Sequence, residues 1–433
     1  MPDGRGPSKR IAITGMSINT PLGDSLEVFL ENLLQGRSAI TRWKALDFSG
    51  IYSKVGGDLS EYDIAGKVSS LRERIPEEVS GRVRRLLRYS PWSTKLSILM
   101  AVDAFLDARL FTFPAEPERV SAIVAGHNIN SMHAYRNWRQ FEERPNNIDA
   151  LYALSSLDSD HAGCVADVLG IQGAAYTVGG ACASGNVALR CAADEIRQHH
   201  MDIVLVVGAV YDASPLELHS LAMMGALSVA SFNDEPAKAS RPFDMAREGF
   251  VPSHGGGALT LEDWDHAVGR GARIYGELLG VEVSSAASRL PGPSEEHEAQ
   301  VIGRVLRNTG IEPHKIDFVS AHATSTQLGD MTEIRALRRV FGDHARSLKV
   351  NAPKSMLGHT CWSSAVVETV AALLQMAAGR LHPSINIDHL DPGIDIDVCA
   401  NRIAEHPVEY MLKNSFGMGG INSASIIRRP PSN

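Results

Sequence analysis

The chain is poor in cysteine: five in 433 residues, at positions 164, 182, 191, 361 and 399, with no CxxC pair. So sparse and odd a set argues against a disulfide framework or a structural zinc site, and suits a reducing, cytoplasmic setting. A basic excess is missing too. Fifty acidic residues outweigh 42 basic ones, giving a net charge of -8, so no nucleic-acid partner is expected. Short basic runs such as "RVRRLLR" at 82–88 read by themselves as a solvated helix face. No stretch approaches about 18 uninterrupted apolar residues, and the opening "MPDGRGPSKR" has no apolar signal core. Neither a membrane span nor a leader is expected. At 44% hydrophobic the chain can build a large core, and its length suggests two or three domain-sized units.

What is present is a repeated grammar of short apolar strands and helices. "KRIAITGMS" (9–17) reads as a buried strand, and "SLEVFLENLLQG" (25–36) as a helix with a Ser N-cap and a Gly stop. Residues 38–91 are charged and weakly periodic, like an inserted excursion. "STKLSILMAVDAFLDARL" (93–110) has the pattern of an amphipathic helix, and "VSAIVAGHN" (120–128) and "MDIVLVVGAVYD" (201–212) the pattern of buried strands. The second half repeats the order, with strands at 255–263, 272–283, 316–326 and 350–360. Its helices are expected at 294–310 and 363–379, and a strand–turn–strand at 409–429. Strands alternating with helices indicate an α/β fold, and the similar order of the halves hints at duplication. The halves are placed at 1–260 and 261–433, with a cap insertion at about 38–115.

Cys182 lies in "GGACASGN", just ahead of a segment where Arg190, Asp194 and Arg197 form one polar stripe. Ala188, Cys191, Ala192 and Ile196 form the opposite face. A thiol at a helix N-terminus feels the helix dipole and free backbone N–H groups, which favour thiolate. An ordinary buried cysteine is the competing reading. His322 ends an apolar strand, and Lys354 and His359 sit in another small-residue loop, the places where α/β proteins gather reactive groups. Two imidazoles near a thioester can donate hydrogen bonds to an oxyanion or enolate. Asp330 suits a helix N-cap. Glu333, in the first turn after it, is either an ion-pair partner for Lys354 or a complement to the helix dipole.

The pieces "ACASGN", "RPFDMAREGF", "AHATSTQLGD", "KSMLGHT" and "NSFGMGGIN" occur in an order and at spacings that resemble the β-ketoacyl-[acyl carrier protein] synthases of the elongating, thiolase-fold type. The match covers nearly the whole chain. It implies two similar βαβαβαββ halves stacked as α-β-α-β-α layers. It also implies a nucleophilic Cys182 that carries an acyl chain as a thioester, and His322 and His359 serving malonyl decarboxylation. Lys354 falls on the family's electrostatic lysine, and Glu333 on its acidic partner. Glu368 matches a residue near a monovalent-cation site. The N–H groups of Cys182 and Met418 form the oxyanion hole, and Phe416, Gly417 and Met418 belong to the gating loop. The loop 124–132, with Asn128, Ser131 and Met132, would line the acyl pocket beside Trp362. The resemblance implies an acyl carrier protein as partner, no organic cofactor, and a homodimer, with a heterodimer of ketosynthase-like subunits as the alternative. Arg82, Arg84, Arg85 and Arg88 are candidates for docking the acidic carrier.

Several positions depart from the family pattern. Ala323 replaces a Gly, Ser253 and His254 replace Gly and Glu, and Trp362 replaces a Gly. Met418 stands at the usual Phe gate and Ile421 at the usual Thr. A buried indole at 362 would want an N–H acceptor, and Met at the gate is more adaptable than Phe. These changes favour a specialised synthase, of polyketide or other secondary metabolism, over a housekeeping one. A stand-alone malonyl carrier-protein decarboxylase is the nearest alternative. A non-catalytic chain-length factor would be expected to lack the Cys182 nucleophile, and a thiolase would need a cysteine after Cys399.

Overall fold

The structure is a computed structural model that describes residues 9–44, 50–290 and 292–431. Residues 1–8 of the polar N-terminal segment and 45–49 of the expected excursion fall outside them.

Ten strands carry the fold. The first five are β1 (Ile11–Asn19), β2 (Val120–Ala125), β3 (Ala175–Val178), β4 (Ile203–Gly208) and β5 (Gly256–Asp263). They are followed by β6 (Gly276–Ser285), β7 (Phe318–Ser320), β8 (Lys349–Asn351), β9 (Tyr410–Gly417) and β10 (Ile421–Arg428). Hydrogen bonding runs β8-β7-β9-β10-β6-β1-β5-β4-β2-β3. Counted within each half, the order is 3-2-4-5-1 both times. The directions repeat as well: strands 3, 2 and 4 pair parallel, and strand 5 pairs antiparallel with both 4 and 1. The halves touch edge to edge over two residue pairs, Ala12 with Glu277 and Ile13 with Gly276. The duplication that sequence identity hides is therefore explicit in the topology.

Six helices complete the layers. In the first half they are α1 (Trp92–Asp107), α2 (Ser159–Leu169) and α3 (Ser184–Gln198); in the second, α4 (Glu295–Thr309), α5 (Gln327–Phe341) and α6 (Ser364–Ala378). Helices α3 and α6 pack between the two sheets and against each other. Helices α1 and α2 cover the outer face of the first half, and α4 covers that of the second with α5 against it. This is the α-β-α-β-α stack. The middle layer requires close approach: a Cβ at Gly185 in α3 would come within 2.9 Å of Val366 N in α6. The largest continuous core, built on Leu189, Ile196, Val204, Val206, Val370 and Leu373, fills the space between the sheets.

Three expectations change. The boundary at 260/261 falls inside β5, whose ladder with β1 and β4 is continuous, so the halves divide between Asp263 and Gly276. The cap insertion shrinks, because α1 packs directly on β1 as an outer-layer helix. What remains is a two-stranded ribbon, Ile40–Arg42 with Val55–Gly57, and the helices Ile64–Arg72 and Glu77–Tyr89. Third, α1 is buried almost all round rather than amphipathic, because helices lie behind it as well as the sheet in front. Among the described residues, the one helical segment long and apolar enough to cross a membrane, Cys361–Ala378, is 89% buried inside the fold.

Candidate active site

Cys182 occupies a single tight turn, Ala181–Ala183, directly ahead of α3. Ala181 enters the turn at φ 48°, a conformation non-glycine residues rarely adopt. Its counterpart in the second half is the turn Cys361–Ser363 ahead of α6, entered by Cys361 at φ 52°. By this internal symmetry Trp362 stands where Cys182 stands.

The β9–β10 hairpin brings a second wall. Gly417 passes so close that a Cβ there would meet Gly180 O at 2.7 Å. Ser415 Oγ donates to Cys182 O at 3.4 Å, and Asn186 Nδ2 in α3 donates to Ser423 Oγ at 3.1 Å, tying hairpin to helix. The backbone N–H groups of Met418 and of Cys182 itself point at the thiol. Burial nonetheless dominates. It pushes the thiol up to about 11, against the opposing pull of Lys354 and those N–H groups. The helix-mouth setting was expected to favour thiolate; in a pocket this dry, desolvation of the anion outweighs it.

His322 lies just past β7, half-buried in the wall of the cavity. His359 follows the short helix Lys354–Leu357 and is held by its backbone: its N–H donates to Val251 O at 2.7 Å, and its carbonyl accepts from Ser253 N at 3.0 Å. The two rings meet edge to face, with centroids 5.5 Å apart. Phe416 stands 5.7 Å from His322 and Phe250 5.2 Å from His359. Among the described residues, both ring nitrogens of His359 and Nδ1 of His322 have no hydrogen-bond partner. Burial and the Lys354 charge drive His359 down to about 3 and His322 well below its ordinary value, so both are neutral near pH 7.

The charged support differs from the expected pair. Glu333 does not reach Lys354. Its two oxygens accept from His322 N at 2.9 Å and Ala323 N at 2.8 Å, and Asn414 Nδ2 donates to it at 2.9 Å. It positions the His322 loop. Lys354 pairs instead with Glu368 on α6, which also holds Lys413 Nζ at 2.7 Å and accepts from Ser364 Oγ at 2.8 Å. The two lysines hold the Glu368 carboxyl down to about 2 although it is buried. A carboxylate whose oxygens already pair with two lysine ammonium groups does not fit as a cation ligand, which corrects the expectation for Glu368. Lys413 and Asn414 were not anticipated; the signal was a lysine inside the apolar strand "YMLKNSFG". Asp330 is not the cap of α5. Thr326 caps Gly329 N at 3.2 Å, and Asp330, fully buried one turn later, accepts from Phe243 N and Ser325 N.

Cys182, His322, His359, Glu333, Phe416, Gly417 and Met418 line one cavity of about 150 Å³. Thr324, Thr326, Ser294, buried Glu298 and exposed Gly292 also line it. The expected pocket residues lie elsewhere. Asn128 N donates to Asp158 at 2.8 Å, Ser131 Oγ bonds Glu217, and Met132 lines a second cavity. His254 belongs to that second cavity too, edged by Trp43 and Trp92, with Nδ1 accepting from Leu59 N at 3.1 Å. It anchors the excursion and is absent from the Cys182 cavity. Trp362 is 8% exposed and stacks on His127 at 4.2 Å, but its Nε1 finds no acceptor among the described residues. Of the arginine candidates, Arg82, Arg84 and Arg85 are paired with Glu78, Glu77 and Asp167, which neutralises much of that patch.

Comparison with known proteins agrees with this geometry. Residues 8–267 match the family model for the beta-ketoacyl synthase N-terminal domain, and residues 275–388 that for its C-terminal domain. The chain is 32% identical to the polyketide biosynthesis malonyl-ACP decarboxylase PksF of Bacillus subtilis (strain 168), over 96% of each protein. It is 31% identical to the chloroplastic 3-oxoacyl-[acyl-carrier-protein] synthase I of Arabidopsis thaliana, over 96% of this chain and 86% of that one. Among solved structures, it resembles a type II polyketide synthase ketosynthase bound to the hexaketide, in complex with its acyl-carrier protein (AntDE:AntF). The TM-score is 0.85 at 26% identity, covering 98% of this chain and 100% of that one.

Proposed function

The chain belongs to the β-ketoacyl synthase family, and from that premise we propose that it decarboxylates a malonyl group on an acyl carrier protein and joins it to an acyl group held on Cys182. The observation that carries this reading is the cavity itself: one thiol flanked by two N–H groups faces two neutral imidazoles with unpartnered nitrogens. The acyl group moves from the carrier sulfur to Cys182 Sγ, and the thiol proton leaves with the carrier thiol. Malonyl carrier protein then enters. Its carbon–carboxylate bond breaks to release carbon dioxide, and the electron pair becomes an enolate whose oxygen accepts hydrogen bonds from His322 and His359. The enolate carbon attacks the Cys182 thioester. The carbon–carbon bond forms, the sulfur–carbon bond breaks, and the thiolate takes a proton from solvent. The N–H groups of Cys182 and Met418 hold the tetrahedral oxyanion. Every step uses groups of this chain and the carrier's own thiol, with no organic cofactor.

We place the protein in the cytoplasm, where its five free thiols stay reduced, and read it as a homodimer. The far edge of β3 is open, and Trp138, Phe141 and Leu154 are each more than half exposed. A second reading, a decarboxylase that supplies the decarboxylated unit without condensation, is favoured by the likeness to PksF.

Acetyl and malonyl carrier proteins supplied together are expected to yield acetoacetyl carrier protein by intact-mass measurement. The rate of carbon dioxide release from malonyl carrier protein should be flat between pH 5 and 8: His359, held at about 3, and His322, also depressed, stay neutral across that window. Carbon dioxide with no ketoacyl product selects the second reading, and a limb centred near pH 6.5 contradicts the neutral-imidazole account.

A further inference from the structure

Behind Cys182 the cavity stops. Cys182, Cys361, Trp362 and Tyr211 pack into one apolar cluster. Trp362 meets two rings: His127, stacked at 4.2 Å and 29°, and Tyr211, tilted at 4.9 Å and 50°. On the far side of that cluster a second cavity of about 150 Å³ opens, lined in part by Cys361, Tyr211, Met132, Leu218 and Trp43. The two cavities share no lining residue. Cys182 lines the first cavity and Cys361 and Tyr211 line the second, so the cluster reaches from one to the other, with Trp362 packed inside it.

We propose that Trp362 sets the acyl specificity of Cys182, restricting it to acetyl- or propionyl-sized groups by closing the passage from the thiol into the second cavity. The inference rests on the acyl-transfer reading above. Its physical basis is volume. A cavity of about 150 Å³ holds a body of roughly benzene size, and this one must also admit the malonyl thioester. Its solvent-facing lining includes exposed Gly292 and half-buried Thr324, Thr326, Met418 and Gly420, the side from which a carrier arm would enter. A longer acyl chain has to run the other way, through the position of the indole. The indole is packed in place: Trp362 is 8% exposed and its ring contacts those of His127 and Tyr211. Internal symmetry explains how the residue comes to stand there: Trp362 is the second half's counterpart of Cys182, so the two sit at the mouths of the adjacent helices α3 and α6.

The test is intact-mass measurement of adducts on Cys182 after exposure to acetyl, butyryl and octanoyl carrier proteins. The chemistry read is one exchange: the Cys182 sulfur–acyl bond forms as the carrier sulfur–acyl bond breaks, with the proton passing to the carrier thiol. Wild type is expected to take acetyl about 100-fold faster than octanoyl. Trp362→Gly is expected to raise the octanoyl rate at least about tenfold by joining the cavities. Trp362→Phe, which keeps a filled core and guards against loss of fold, should fall between. Equal acetyl and octanoyl rates in wild type overturn the proposal. So does an unchanged ratio in Trp362→Gly and Trp362→Phe when both melt cooperatively. Absence of any adduct, from any donor, on wild type and both variants overturns the acyl-transfer reading itself and the proposal with it.

Discussion

Alanine at His359 is expected to slow carbon dioxide release from malonyl carrier protein by about 10²- to 10³-fold, the usual cost of removing one preorganised donor to a developing oxyanion. The expectation is large because the imidazole has no other use. Among the described residues neither ring nitrogen has a partner, the ring is buried, and its pKa is depressed to about 3. A neutral N–H donor in a dry pocket needs no reorganisation as charge builds on the enolate. Its backbone bonds to Val251 and Ser253 survive the substitution, so the loop should hold. Acylation of Cys182 by acetyl carrier protein in the same variant separates lost chemistry from lost fold. Normal acylation with slow decarboxylation is the expected pattern, and normal decarboxylation would remove His359 from the mechanism.

The second large effect is on stability. Glu368→Ala leaves Lys354 and Lys413 facing each other in the core, where Glu368 now compensates both. Breaking a buried ion pair by removing one partner costs about 3–5 kcal/mol, because an uncompensated charge remains. For Glu368→Ala that loss should appear in urea denaturation as a lower midpoint with an unchanged slope. Glu368→Ala combined with Lys354→Met should recover part of it. A single variant as stable as wild type would mean that the lysines are neutral or find water, and that the cluster is not an electrostatic keystone.

The residues proposed to do chemistry, which the structure gathers around one cavity, were legible because each stands in a local sequence context of its own: a thiol before a helix, histidines in small-residue loops after apolar strands, glycines where a hairpin crowds a turn. The strand and helix order was legible for the same reason, since period and punctuation are local. What the sequence hid were relations set by tertiary packing. Glu333 and Glu368 both follow a reactive loop and open a buried helix, yet only the packing of α6 against β9 decides that the second meets Lys354 and Lys413. Asn128, Ser131 and Met132 belong to the same half of the fold as Cys182, but none of them lines its cavity. The thiol's raised proton affinity depends on burial, which no motif reports. Helix α1 shows the same limit, because a sequence stripe cannot reveal that other helices will cover its back.

The central claim is that one cavity couples decarboxylation by the histidine pair to condensation through Cys182. The most direct measurement counts carbon dioxide and β-ketoacyl carrier protein together, in wild type and in Cys182→Ala, with acetyl and malonyl carrier proteins present. The account expects a one-to-one ratio in wild type. In Cys182→Ala it expects continued carbon dioxide release and ketoacyl product reduced by about 10³-fold or more, since the acyl group has lost its attachment point. Carbon dioxide release unaffected by the substitution and unaccompanied by ketoacyl product in wild type would contradict it.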